Sequence, residues 1–196
     1  MQRIAFAAIE ALAGAIFFVP LLFLINKFFF RNAKITAVYC LFAFYLSSVY
    51  AIVGLPTVYN FSFDTFVYLI PFVGMIYDVK NSILNVILFI PLGIFLPLLC
   101  AGYAKLKNTL LFGFLMTLAI ELLQFFTYRK TDVNDLITNT VGTLFGFLIA
   151  RLIIKKIPQT QVNGKMSEIF TVTAVTVCVM FLFQPFLSCF LWSFIR

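Results

Sequence analysis

Six stretches of the chain read as nearly unbroken apolar runs: 4–30, 35–59, 81–103, 106–126, 132–151 and 168–194. A bilayer core about 30 Å thick takes about 20 apolar residues per helix, so each run predicts a membrane-spanning helix. Strands of alternating polarity, which a membrane barrel would need, are missing. The pattern predicts an all-α protein: a polytopic transmembrane bundle of about six spans, forming one integral membrane domain over 1–196 without a soluble domain, linker or internal repeat.

Between the second and third runs lies YNFSFDTFVYLIPFVGMIYDV, whose apolar part between Asp64 and Asp78 is too short to cross. It is expected to lie in the interface or to dip in and return at Pro71 and Gly74. Its aromatic residues suit the headgroup region, either as anchors or as a lid over a lipid-facing pocket. In the third run Pro91 and Gly93 fall near mid-membrane, where proline frees a carbonyl and tends to kink a helix.

Composition agrees with immersion in lipid, at 63% hydrophobic and 11% charged residues against about 25% charged in an ordinary soluble domain. The net charge of +7 does not point to nucleic acid, because the basic residues sit in loops. Nine of the fourteen, namely Lys27, Arg31, Lys34, Lys105, Lys107, Arg151, Lys155, Lys156 and Lys165, fall on one side of the predicted spans. The positive-inside rule makes that side cytoplasmic, with both termini and the loop carrying Asp132 and Asp135 outside. Arg3 before an apolar run has the look of a secretory signal, but the run is too long and Glu10 interrupts it. Cys40, Cys100, Cys178 and Cys189 all lie in apolar runs without a CxxC pair and read as packed free thiols. Histidine is absent, which removes Ser-His-Asp and Cys-His chemistry and the usual zinc sites.

The informative polar residues sit in and around the fourth and fifth runs. Glu121 and Gln124 share a helix face, and an intramembrane carboxyl costs about 2.5–3.5 kcal/mol on insertion scales, which makes it a functional candidate. On the fifth run Asp132, Asp135, Asn139, Gly142 and Gly146 fall within a stripe of about 80° at 100° per residue. Its inner glycines suit close backbone packing. At 1.5 Å per residue Asn139 lies about 10 Å inward from Asp132, and Glu121 about 12 Å inward from Arg129. Asn85, one turn inside the third run, falls at a similar depth. Arg129 is the natural counter-ion for Asp132 or Glu121, and Glu10 can join the group or pair elsewhere. Two readings stay open: a self-satisfied network that sets helix register, and a ligand or headgroup site.

Three sequence patterns recur among these residues. Asn85, Leu88, Phe89, Pro91, Leu92 and Gly93 spell N-x-x-L-F-x-P-L-G; Glu121 and Gln124 spell E-x-x-Q; Arg129, Asp132, Asp135, Asn139 and Gly142 spell R-x-x-D-x-x-D-x-x-x-N-x-x-G. In combination they resemble the VanZ family of small bacterial membrane proteins over about residues 66–154, with Tyr128 where the family usually has glycine. The family's namesake is associated with low-level resistance to teicoplanin, a glycopeptide with a fatty tail. The resemblance thus implies a multi-pass bacterial cell-membrane protein that contributes to glycopeptide resistance.

Residues and resemblance together suggest a non-catalytic binder using Asn85, Glu121, Gln124, Arg129, Asp132, Asp135 and Asn139 in an outward-facing polar pocket. Expected partners are membrane lipids, a lipid-linked peptidoglycan precursor or the acylated drug. Asp132, Asp135 and Glu121 are also candidates to hold a divalent cation, since hard cations favour carboxylate oxygens. The alternative is an enzyme on a lipid-linked substrate, with Glu121 or Asp135 as general base and a carboxylate-bound metal as electrophile. A transporter ranks lower, because the polar residues gather at one depth and the inner half is apolar.

Overall fold

A computed structural model describes residues 2–61, 67–68, 72, 78–127, 131–158, 161–187 and 190. Among the described residues there are six long helices: α1 (Gln2–Phe28), α2 (Ala33–Val53), α3 (Val79–Leu99), α4 (Leu106–Gln124), α5 (Val133–Lys156) and α6 (Met166–Leu182). β-Pairing among the described residues is limited to a two-residue parallel match of β1 (Val67–Tyr68) with β2 (Thr131–Asp132) and an isolated antiparallel bridge between Thr57 and Asn60. Five helices, within α1 to α5, are long and apolar enough to cross a membrane, and α6 is a shorter apolar helix of 17 residues. The protein is an all-helical, multi-pass membrane protein of about six spans.

Local chemistry shortens or lengthens several spans relative to the apolar pattern. The second ends at Val53, not 59, because Gly54 adopts a left-handed φ of 67° that closes the helix and Pro56 cannot continue it. Its start is set by Asn32, whose side chain accepts the amides of Lys34 at 3.0 Å and Ile35 at 3.3 Å. The third begins earlier than 81, since Asp78 caps it by accepting the Asn81 amide at 3.2 Å. It ends at Leu99, not 103. Cys100 is extended there and lies outside the helix, and Ala101–Ala104 forms a 3₁₀ turn held by Thr109 Oγ1 donating to the Tyr103 carbonyl at 2.6 Å. The fifth runs past 151 to Lys156, with Lys155 and Lys156 in its last turn, where the helix dipole favours cations.

The chain divides into two compact units, 1–61 with 167–196, and 62–166. In the first, Tyr39 donates its hydroxyl to Glu168 Oε2 at 2.7 Å, and Phe17 meets Phe183 with ring centroids 5.4 Å apart. Glu10 belongs to this unit. In the second, α3 and α5 touch backbone to backbone. A methyl group added at Gly93, Gly142 or Gly146 would run into the carbonyl oxygen of Thr143, Val86 or Ile90 respectively. The inner glycines thus make the close approach expected of small residues at intramembrane interfaces. On α4, a Cβ at Gly113 would stand 2.7 Å from Thr143 Cγ2, so α4 also seats tightly on α5. Large apolar side chains such as Ile87, Leu115, Phe145 and Leu152 stay exposed, as a lipid-facing surface requires.

Of the expectations for the segment between the second and third spans, those for residues 62–66, 69–71 and 73–77 fall outside the described residues, as do those for Arg129, Cys189 and the end of the sixth run beyond 190.

Candidate functional site

The start of α5 organises the polar end of the 62–166 unit. Asp132 is its N-cap, and its Oδ1 accepts the Asn134 backbone amide at 2.9 Å and the Asn134 Nδ2 at 2.8 Å. Capping by a carboxylate satisfies an orphan amide and also favours the positive end of the helix dipole. The Asp132 amide in turn donates to Glu121 Oε2 at 2.9 Å. Glu121 is only 3% exposed, so α4 delivers a buried carboxylate to the backbone where α5 begins.

One turn on, Asp135 Oδ1 accepts Asn85 Nδ2 at 2.7 Å and links α5 to α3. Another turn inward, Asn139 donates Nδ2 to Thr117 Oγ1 on α4 at 2.8 Å. The buried Asn139 Oδ1 meets no donor among the described residues. Burial of an amide oxygen without a donor costs about 1–3 kcal/mol, so this acceptor stands ready for any N–H or O–H brought to it. Gln124 is buried on the same end of α4, and its backbone carbonyl accepts Thr127 Oγ1 at 3.0 Å.

Asn85, Glu121, Gln124, Asp132, Asp135 and Asn139, singled out in the sequence, thus lie on the facing ends of α3, α4 and α5, and bonds that cross between helices hold Asn85 to Asp135, Glu121 to Asp132 and Asn139 to Thr117. Among the described residues, no three Asp, Glu or Cys side chains gather closely enough to hold a metal ion, the set Glu121, Asp132 and Asp135 included.

Two members escaped the sequence reading. Asn134, 3% exposed, accepts the Phe72 amide on Oδ1 at 2.6 Å and so ties Phe72 to α5. Phe72 has a φ of 69°, a backbone shape that bulky residues rarely take, and Asn134 is the group that holds its amide there. The available signal was an Asp with an Asn two positions later at a helix start, a side-chain pattern that favours caps and turns. Thr117, fully buried, lies one turn from Glu121 on the same face of α4, and that i, i+4 spacing was its only mark.

The cluster is rich in acceptors and contains no activated nucleophile among its described members. It is suited to gripping amines, hydroxyls or amide N–H groups by charge-assisted hydrogen bonds. The family model for VanZ/LLP1 matches residues 37–155, more than half the chain. The chain belongs to the VanZ/LLP1 family. Protein VanZ of Enterococcus faecium is 34% identical over 87 residues, covering 43% of this chain and 52% of that protein, so the match spans about half of that relative's length. No solved structure matches. Every residue of the polar cluster falls inside the VanZ/LLP1 match.

Proposed function

We propose that this VanZ-family membrane protein contributes to glycopeptide resistance of the teicoplanin type by binding, without chemistry, at the polar end of its 62–166 unit. The ligand is a polar group on a lipid anchor: a lipid headgroup, the lipid-linked cell-wall precursor or the acylated drug. The observation that carries this reading is the convergence of Asn85, Glu121, Asp132, Asp135 and Asn139 from three helices, crowded with acceptors and flanked by lipid-facing apolar surface. Charge asymmetry supports an outward-facing site. Lys105, Lys107, Arg151, Lys155 and Lys156 belong to the opposite ends of the same helices, and such ends face the cytoplasm under the positive-inside rule. Drug and precursor both work at the outer leaflet.

The test expresses the wild type and the double variant Glu121→Gln, Asp135→Asn at equal membrane levels in a susceptible bacterium and reads teicoplanin and vancomycin susceptibility. The wild type is expected to lower teicoplanin susceptibility selectively and the variant to lose that protection. Equal protection by both proteins sinks the proposal. Orientation is read separately: with native cysteines removed, Thr131→Cys should react with an impermeant thiol reagent in intact cells and Leu106→Cys should not.

A further inference from the structure

The opposite end of the 62–166 unit holds a second feature, independent of the polar cluster. A groove of about 670 Å³ opens there, lined by Pro97, Leu148, Leu152 and Ile154 together with Arg151 and Lys155. We infer that it is a binding site for an anionic glycerophospholipid, which lays acyl chain along the leucines and phosphodiester against the two cations.

Three observations select that ligand. Arg151 and Lys155 are one turn apart on α5, so their charges reach the same spot. Leu152, at 62% exposure, lies between the two cations along the helix, and Leu148, at 47%, lies about one turn inward of Arg151; the span from Leu148 to Lys155 is about 10 Å at 1.5 Å per residue. Exposed leucines beside the cations and reaching inward from them match a lipid's chain and headgroup, whereas a free phosphate has no use for the leucines.

The charge balance is the second observation. No Asp or Glu occurs between residues 79 and 120 or between 136 and 166, while Lys105, Lys107, Arg151, Lys155, Lys156 and Lys165 do, along with Lys80 at the other end of α3. The cations of the groove therefore have no carboxylate from these stretches to neutralise them. Third, the orientation bias by itself accounts for basic residues at the helix ends on this side, and Lys105, Lys107, Lys156 and Lys165 serve it without lining the groove. Arg151 stands more than a turn before the end of α5, its guanidinium 5.9 Å above the Phe147 ring, which keeps the fork beside the apolar strip. Basic pockets at the cytoplasmic ends of transmembrane helices are suited to anionic headgroups.

Native mass spectrometry of the full chain in neutral detergent, titrated with phosphatidylglycerol or phosphatidylcholine, tests the site. The wild type is expected to retain phosphatidylglycerol preferentially. Arg151→Gln with Lys155→Gln should weaken that retention about twenty-five-fold, from two cations each worth about fivefold at a membrane surface. Lys107→Gln with Lys165→Gln removes the same charge from outside the groove and should leave retention unchanged. Millimolar sn-glycerol 3-phosphate should not displace the lipid. Equal losses in the two double variants, equal retention of the two lipids, or displacement by the soluble phosphate would each overturn the site.

Discussion

Replacing Gly142 by alanine sets helix propensity against packing, with opposite signs. On an isolated helix the change would stabilise by about 0.8–1.0 kcal/mol, because glycine is the poorer helix former. In the folded unit the new Cβ would stand 3.0 Å from both the Val86 carbonyl carbon and Phe89 Cβ, and closer still to the Val86 oxygen. Carbon atoms settle at about 3.5–4.0 Å, so α3 and α5 must part by roughly 0.5–1 Å at that level. Val86 follows Asn85, and Gly142 lies two turns from Asp135, so the same movement stretches the 2.7 Å Asn85–Asp135 bond toward the limit of hydrogen-bond geometry. Overpacking costs about 1–3 kcal/mol, and an intramembrane hydrogen bond about 0.6 and at most about 1.7 kcal/mol. The net expectation, after crediting the propensity gain, is a loss of about 1–3 kcal/mol. Equilibrium unfolding in mixed micelles titrated with SDS, followed by the helical circular dichroism, measures it. A variant as stable as the wild type, or more so, would show that the backbones do not approach as closely as Gly142 implies, and the reasoning would fail with it.

Thr117→Val removes the partner of Asn139 Nδ2 and should cost about 0.6–1.7 kcal/mol in the same titration; adding Asn139→Leu should recover most of it, since both polar partners are then gone. Asn134→Ala releases the Phe72 amide and should speed its hydrogen–deuterium exchange, and an unchanged rate would show that the Asn134 bond does not protect it. Tyr103, outside the spanning helices, buries a hydroxyl that meets no partner among the described residues, so Tyr103→Phe should be at least as stable as the wild type at neutral pH. Burial, with Cys100 adding to it, pushes the Tyr103 phenol up from 10.0 to about 12. Folding therefore favours its neutral form. The resulting stabilisation is complete below about pH 10 and fades as pH rises toward 12, and the phenylalanine variant should lose stability less steeply across that window.

Much of the polar cluster was legible because the membrane is an unforgiving solvent. A carboxylate such as Glu121 within an apolar run costs too much to be incidental, and helical periodicity alone puts Asp132, Asp135 and Asn139 on one stripe. Gly142 and Gly146 on that stripe announced a close neighbour in the same way. Asn134 was overlooked because its role depends on Phe72, sixty-two positions away, and on a backbone shape that no local pattern encodes. Thr117 hides among the many threonines that simply bond their own helix, as Thr143 and Thr176 do.

What the amino-acid order determined by itself was the number and rough extent of the helices and the face of α5 that is polar, since lipid immersion and helical geometry act on neighbours in the chain. The partners were decided only in three dimensions. Similar depth did not say that Asn85 would meet Asp135 rather than Asn139, or that Glu121 would accept the Asp132 backbone amide, because hydrogen bonds depend on distances of tenths of an ångström set by how closely Gly93, Gly142 and Gly146 let the backbones approach. Helix ends likewise followed single residues and their contacts, the left-handed Gly54 and the extended Cys100, which a smoothed hydropathy pattern passes over.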